Sequence, residues 1–450
     1  FAAGKVSGVF VNAAPGLSFI GDPGIPRTYT SQKFSDFEPR VGFSWDPTGS
    51  GRQTLRSSYS IFYDSPELNY STHPGQGAPW GSTVTLSSPV GGLTNPFAGY
   101  PGGNPFPSPV PPSKDQAFPL SGAYFDIPLN LQPTYAQEWD FSYQRQIGAN
   151  WLFTATYLGN KTTHSWVGTE ANPGVYIPCT CSGKACSTTA NLNQRCVGDR
   201  QNPGTGAYYS TMARSDGGAN SEYNGLLFSA RRRFSNNYTI LANYTYSHCI
   251  SEANFVGELA GPGYQNPYNR NADRGNCAFD LRHVFNLSLV ARAPAIRGNR
   301  VATVLLSNWQ IAPIVSVRSG SPFTPLSGVD NSMTGIGLDR PNVVGDPYVR
   351  DTNRLLWLSP LAFTPNQAGT FGNAGAYSLS GPGYFDVDLA ISRVFSVHET
   401  QRLEARFEAF NSTNHVHLAT PVATENNARF GQITSAGDPR ILQFAMKYQF

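Results

Sequence analysis

His415 and His417 stand two residues apart in NSTNHVHL, a spacing that can turn two imidazoles toward one metal ion. No cysteine or acidic pair lies near enough in sequence to complete a ligand set, so the expected reading is a pair of loop histidines and no metal site. Six cysteines follow, with Cys179, Cys181, Cys186 and Cys196 spaced C-x-C-x4-C-x9-C and Cys249 and Cys277 far downstream. That pattern fits neither a zinc site nor a haem attachment site. Disulfides made outside the cytoplasm are the expectation, with free thiols or an unrecognised metal site as alternatives. Ser, His and Asp are present without a G-x-S-x-G elbow, and there is no phosphate-binding G-x-x-x-x-G-K-[ST] loop. Catalysis has no positive support, so neither enzyme activity nor a cofactor is expected.

The other concentrated chemistry is charge at alternate positions. Arg402, Glu404, Arg406 and Glu408 alternate with Leu403, Ala405, Phe407 and Ala409. Asp386 and Asp388 alternate with Phe385, Val387, Leu389 and Ile391, and Lys447 lies with Gln443 and Gln449 between Leu442, Phe444, Met446, Tyr448 and Phe450. Period two belongs to a strand with unlike faces. The final stretch, PRILQFAMKYQF, has the length of a tilted strand crossing hydrocarbon, about 9 to 11 residues. Taken alone it suits a soluble sandwich equally well. In a membrane, the opposite register would expose charge to lipid at about 2 to 4 kcal/mol per midplane Arg, so the charged face must look inward. Acidic residues of one strand and basic residues of the next are then expected to pair across the lumen wall. The run Arg231, Arg232, Arg233 beside a tight turn suits anionic headgroups, a lumen network or a merely solvated strand end.

The composition favours many strands. Of 450 residues only 14% are charged, while Gly (45), Pro (35), Tyr (22) and Phe (28) are abundant; ordinary soluble chains carry about 25% charge. A balance of 32 basic and 29 acidic residues gives no nucleic-acid footprint. No transmembrane helix is readable: the most apolar stretch, from Val301, is interrupted by Ser307, Asn308, Gln310 and Pro313. With no initiating Met and no leader-like start, a mature chain or a fragment is expected.

From residue 38 the strand candidates are joined by short and long connections in strict alternation. Short links are PTGSG after Asp46, Gly148 to Asn150, Ser235 to Asn237, PAIRGNR and Val397 to Thr400. Long ones cover about residues 65–133, 161–220, 250–279, 320–380 and 416–437. Eleven strands are predicted, or twelve if Lys5 to Asn12 is one. Residues 1–37 then form a partial N-terminal strand and loop, and 38–450 a barrel portion. A sandwich has no reason to put every long loop at one end, whereas an outer-membrane barrel has short periplasmic turns and long extracellular loops. The predicted fold is therefore all-β, an antiparallel up-and-down transmembrane β-barrel.

The segments PRVGFSWDP, EWDFSYQRQIGANWLFTATYLGNKTTH, SEYNGLLFSARRRFSNNYTILANYTYSH, QNPYNRNADRGNCAFDLRHVFNLSLV, GPGYFDVDLAISRVF, RLEARFEAFNSTNH and the terminal FAMKYQF resemble the C-terminal barrel of TonB-dependent outer-membrane receptors of Gram-negative bacteria. The similarity is greatest to the Oar-like, carboxypeptidase-regulatory-domain-bearing group and covers most of residues 38–450. It implies a barrel of about 22 strands around a plug, and uptake of a scarce, bulky solute driven by the TonB system through that plug. It also implies that Tyr448 and the terminal Phe450 form the signal read by the barrel assembly machinery. Plug, TonB-contacting segment and about half the strands are missing from this sequence, which is expected to be the C-terminal part of a receptor. The alternative is a surface structural or adhesive protein for which the barrel is only an anchor.

Within that frame Cys249 closes one strand and Cys277 nearly opens the next, so a bond between them is expected to staple a loop at its base. The remaining four cysteines are expected to pair within the Cys179 to Cys196 segment. Solute contacts, if made, are expected from the loop aromatics Trp80, Tyr100, Tyr124, Trp166, Tyr208 and Tyr264, which could equally pack on one another. Outer-membrane lipid is the remaining expected partner, and the identity of the solute is not readable.

Overall fold

The computed structural model describes residues 4–27, 36–64, 75, 77–81, 83–86, 88–106, 111–128, 131–181, 184–235, 237–253, 263–294, 303, 307–396 and 400–450. Eleven long strands form one antiparallel meander: β1 Arg40–Trp45, β2 Gln53–Tyr63, β3 Tyr135–Ile147, β4 Trp151–Glu170, β5 Tyr209–Ser235, β6 Tyr238–Ser251, β7 His283–Arg292, β8 Gln310–Arg318, β9 Tyr384–Ser396, β10 Arg402–Phe410 and β11 Ile441–Gln449. Each pairs with its neighbours in the sequence, and among the described residues β1 and β11 each have one neighbour.

Turn chemistry fixes the short ends. Asp46 caps the first, its carboxylate accepting from the Thr48 N–H (3.0 Å) and the Gly51 N–H (2.6 Å). Gly49 and Gly51 there take φ of 63° and 69°, left-handed values that a side chain disfavours. Gly148 does the same between β3 and β4, with φ 61°. The links through Asn236, through 295–302 and through 397–399 lie outside the described residues. Pro313 sits inside the central strand β8, without an N–H to give. The ladder to β7 is broken there, between the pairs Ser288–Ile314 and Ala291–Ile311, while the ladder to β9 runs through Pro313–Leu389.

Register sorts the two faces. One face carries Phe43, Tyr143, Phe153, Phe228, Tyr244, Phe285, Val315, Val387, Phe407 and Phe444 from β1 and β3 to β11, an almost unbroken apolar band. The other carries Ser, Thr, Asn, Asp, Glu, Gln and Arg for the most part. Phe444 and Met446 are 76% and 74% exposed on the apolar face, the arrangement of a sheet whose solvent on that side is lipid.

The buried cores lie among the long connections instead. Phe10, Phe19, Phe118, Tyr124 and Tyr209 form one, Phe323, Leu358, Phe363, Leu379 and Phe430 a second, and Val167, Ala219 and Tyr264 a third. Two expectations are corrected here. Lys5 to Asn12 is not a strand but a bend, and its Phe10 ring packs edge-on against Phe19 at 4.9 Å. The connection expected over 161–220 is strand at both ends: β4 runs on to Glu170 and β5 begins at Tyr209, so that at 20 and 27 residues both rise well past a bilayer. A short strand, Gly122–Asp126, adds in parallel to the risen part of β5.

Candidate functional site

The charged ladder is laid out by register. Arg402, Glu404, Arg406 and Glu408 share the polar face and stand opposite Gln449, Lys447, Ala445 and Gln443 of β11. Pairing is mostly along the strand: Arg406 reaches Glu408 at 2.5 Å. The expected cross-strand pairing with Asp386 and Asp388 does not form, because β9 meets β10 as Ser392–Arg406 and Ser396–Arg402, leaving both aspartates past the end of the ladder. Asp388 accepts the Asn411 N–H at 2.9 Å, and Asp386 lies 3.4 Å from His417 Nε2. His417 also reaches the Phe385 carbonyl at 3.0 Å, and its ring packs on Tyr384. Among the described residues no group of three His, Cys, Asp or Glu could hold a metal.

At the long-loop end a cleft of about 610 Å³ opens between the risen part of β5 and the segment from Tyr264 to Asn271. Asp216 is its anchor. Arg270 grips this carboxylate with a two-pronged fork, Nε to Oδ2 and Nη2 to Oδ1, each 2.7 Å, and the Tyr264 hydroxyl donates to Oδ2 at 3.2 Å. Such a bidentate pair fixes orientation as well as charge. The approach needs glycine: a Cβ on Gly218 would stand 2.6 Å from the Arg270 guanidinium carbon, and one on Gly217 2.7 Å from Leu131. Burial raises the Tyr264 hydroxyl pKa well above the usual phenol range, so it stays a donor. On the outer side Arg214 meets Asp126 at 2.6 Å, and Tyr268 leaves 73% of its surface open to the cleft mouth.

The wall behind is held by buried polar groups. Arg340 binds Asp273 at 2.6 Å with both side chains almost wholly buried, gives Nη2 to the Ala272 carbonyl at 2.8 Å, and its backbone N–H donates to Gln265 Oε1 at 2.8 Å. Cys249 and Cys277 are bonded at the base of this connection, and Cys179 is bonded to Cys186. The expectation that all four upstream cysteines pair is corrected. Cys196 is a buried free thiol, 3.8 Å from the Ser210 carbonyl, and burial pushes its pKa up to about 12. The side chain of Cys181 lies outside the described residues.

The six loop aromatics separate into different roles. Tyr124 is buried against Tyr209, so its ring has no free face for a solute, which corrects that expectation. Tyr208 packs against the same cluster, and Trp80 packs edge-on against Phe10 and Phe19. Tyr100 donates to the Leu120 carbonyl at 2.6 Å and Trp166 to the Gln132 carbonyl at 2.7 Å. Tyr264 alone among them lines the cleft, buried to 2% exposure. Asp216, Tyr268 and Arg270 were not expected from sequence; the visible signal was the Gly217–Gly218 pair inside a strand, which marks a close approach. At the opposite end the rings of Tyr448 and Phe450 lie 6.1 Å apart at the close of the last strand, Phe450 at 94% exposure.

An eleven-strand meander with an apolar outer band and all long connections at one end defines an outer-membrane barrel architecture. The chain belongs to the outer membrane beta barrel domain family, whose model matches residues 2–443. It is therefore a protein of the bacterial outer membrane. No curated protein matches it. Among solved structures it is similar to the outer membrane transporter YddB from Escherichia coli, at 9% identity and a TM-score of 0.50, over 91% of this chain and 40% of that one. Similarity extends to a point mutant of the ferric enterobactin receptor from Pseudomonas aeruginosa, at 10% identity and TM-score 0.45, over 91% and 39%. The ferripyoverdine receptor from the same species aligns at 11% identity and TM-score 0.40, over 91% and 32%. These neighbours are transporters and receptors, not enzymes. The chain spans about 40% of the transporter's length.

Proposed function

We propose that this chain is the C-terminal barrel portion of an Oar-like TonB-dependent receptor that takes up a scarce, bulky solute. The observation that carries this reading is the polar cleft of about 610 Å³ set among folded connections at one end of a membrane-facing meander. Folded loops with a shaped cleft above a barrel can select a solute before it enters the lumen. The polar inner face, with its Arg402 to Glu408 ladder, suits a wet passage below it. In lipid an unpaired strand edge is not tolerated, so this reading requires the edges of β1 and β11 to be paired in the working protein, with further strands or with each other. Energy reaches such a barrel through a plug acted on by the TonB system. Insertion uses the assembly machinery, with Tyr448 and Phe450 as the segment it reads.

The test compares spent medium from the parent bacterium and from a strain lacking this gene by untargeted mass spectrometry. Transport predicts a solute too large for general porins that wild-type cells deplete, and that neither the deletion strain nor cells with TonB disabled deplete. Equal depletion by all three strains would leave the barrel as an anchor for its folded loops.

A further inference from the structure

The apolar face of the sheet is not smooth. A groove of about 330 Å³ crosses it near the short-turn end of β3 to β7. Its floor is built of small side chains in successive strands: Ala155 on β4, Ala230 on β5 and Ala242 on β6, with Ala230 directly opposite Ala242. Its walls are aromatic. Tyr143, Phe228, Tyr244 and Phe285 stand along one side, where Phe285 pairs with Tyr244, Tyr244 with Phe228, and Phe228 with Ala155. Phe153 closes the other side, stacked on Trp151 at 5.6 Å between ring centroids.

One residue in the lining does not match this surface. Arg145 faces outward in the same row as Phe153, its cross-strand partner, two residues before β3 ends at Ile147. It is exposed, and no hydrogen bond or ion pair engages it among the described residues. The neighbouring Arg232, also on the outer face and 5% exposed, is already committed: Nη1 donates to the Ser235 and Tyr238 carbonyls at 2.8 and 3.2 Å, and the guanidinium lies 3.5 Å over the Tyr238 ring. Arg232 holds the turn, whereas Arg145 is a free cation at the mouth of a hydrocarbon slot. A lone guanidinium on a lipid-facing strand is costly unless its stem lies along apolar surface and its head reaches an anion. From two residues inside the strand end, the head can reach the headgroup layer.

We propose that the groove is a binding site for one glycerophospholipid of the leaflet at the short-turn side. An acyl chain lies over Ala155, Ala230 and Ala242, and the phosphodiester is held by Arg145. Charge complementarity selects this occupant over purely apolar ones, since an acyl chain without an anionic head would leave the guanidinium unpaired. A slot floored by alanine also admits a narrow acyl chain where a bulky side chain would not lie flat.

The test is native mass spectrometry of the detergent-purified whole protein, with every strand of its barrel present, with added phosphatidylglycerol or with diacylglycerol carrying the same acyl chains. Wild type is expected to retain one phosphatidylglycerol about tenfold more tightly than diacylglycerol, the scale of one charge-assisted contact. Arg145→Gln brings the two lipids to within about twofold of each other. Ala230→Phe, which fills the floor, removes retention of both, while Ala405→Phe on the outer face of β10 changes neither. Should Ala230→Phe fail to fold by heat-dependent gel migration, Ala242→Leu takes its place. Equal retention of the two lipids by wild type, or undiminished retention in the filled-groove variant, overturns the site. Displacement by millimolar inorganic phosphate overturns the lipid assignment and leaves an anion site only.

Discussion

Lys447 of β11 stands directly opposite Glu404 of β10, on the polar face, with no ion pair joining them among the described residues. One position along, Tyr448 faces Leu403 on the apolar side. Two solvents meet in that one strand pair, and the cost of a charge depends on which face receives it. Phe407, whose ring lies 5.0 Å from Phe444 on the apolar face, is expected to cost about 2 to 4 kcal/mol when changed to Arg. Glu404→Gln, on the polar face, is expected to stay within about 0.5 kcal/mol. Urea unfolding from lipid vesicles reads both.

Arg340 and Asp273 form a buried pair 2.6 Å apart behind the cleft. Removing one charge strands the other, so Arg340→Met is expected to destabilise the loop assembly by about 3 to 5 kcal/mol. The double change Arg340→Met with Asp273→Leu should recover much of that loss. Thermal resistance of the loops to protease measures it, and a double variant no better than the single one would refute the argument.

Cys249 and Cys277 close a connection with a sequence separation of 28. Replacing both with Ser is expected to lower stability by about 3 to 4 kcal/mol from loop entropy alone. The same loss should follow reduction of the unmodified protein, and peptide mapping without reductant identifies the bonded pair.

Cys196 carries a pH signature. Burial raises its thiol from 9.0 to about 12, so the folded state holds that proton more tightly than the unfolded chain does. The resulting stabilisation is complete below pH 9.0 and is lost as pH rises toward 12. Cys196→Ala should remove that part of the alkaline slope. Alkylation at pH 8 is expected to be slow until the protein is unfolded.

Gly218 is the clearance on which the Arg270 fork depends. Gly218→Ala is expected to push Arg270 away from Asp216 and loosen the cleft wall, whereas Gly218 restored beside Arg270→Lys keeps the space but loses the two-pronged grip. Hydrogen exchange across Tyr264 to Asn271 should rise in both variants, and more in the alanine variant.

Period-two alternation was enough to place the eleven long strands, and it did so to within a few residues at β3, β9, β10 and β11, because a strand between lipid and water must alternate wherever it crosses. The short-turn glycines and the alternation of the charged ladder with apolar residues were legible for the same local reason. What lay above the bilayer was not. Strands β4 and β5 continue through residues of no fixed alternation, where Val167 and Ala219 are buried against the Tyr264 ring of a loop. The grip of Arg270 on Asp216, 54 residues away, and of Arg340 on Asp273, 67 residues away, depends on which loops fold against each other. Cys196 shows the same limit: its spacing resembled that of its neighbours, yet packing leaves it a buried free thiol against the Ser210 carbonyl. Alternation is a property of each strand and its solvents; pairing between loops is a property of the whole fold, and only the tertiary structure brought those side chains together.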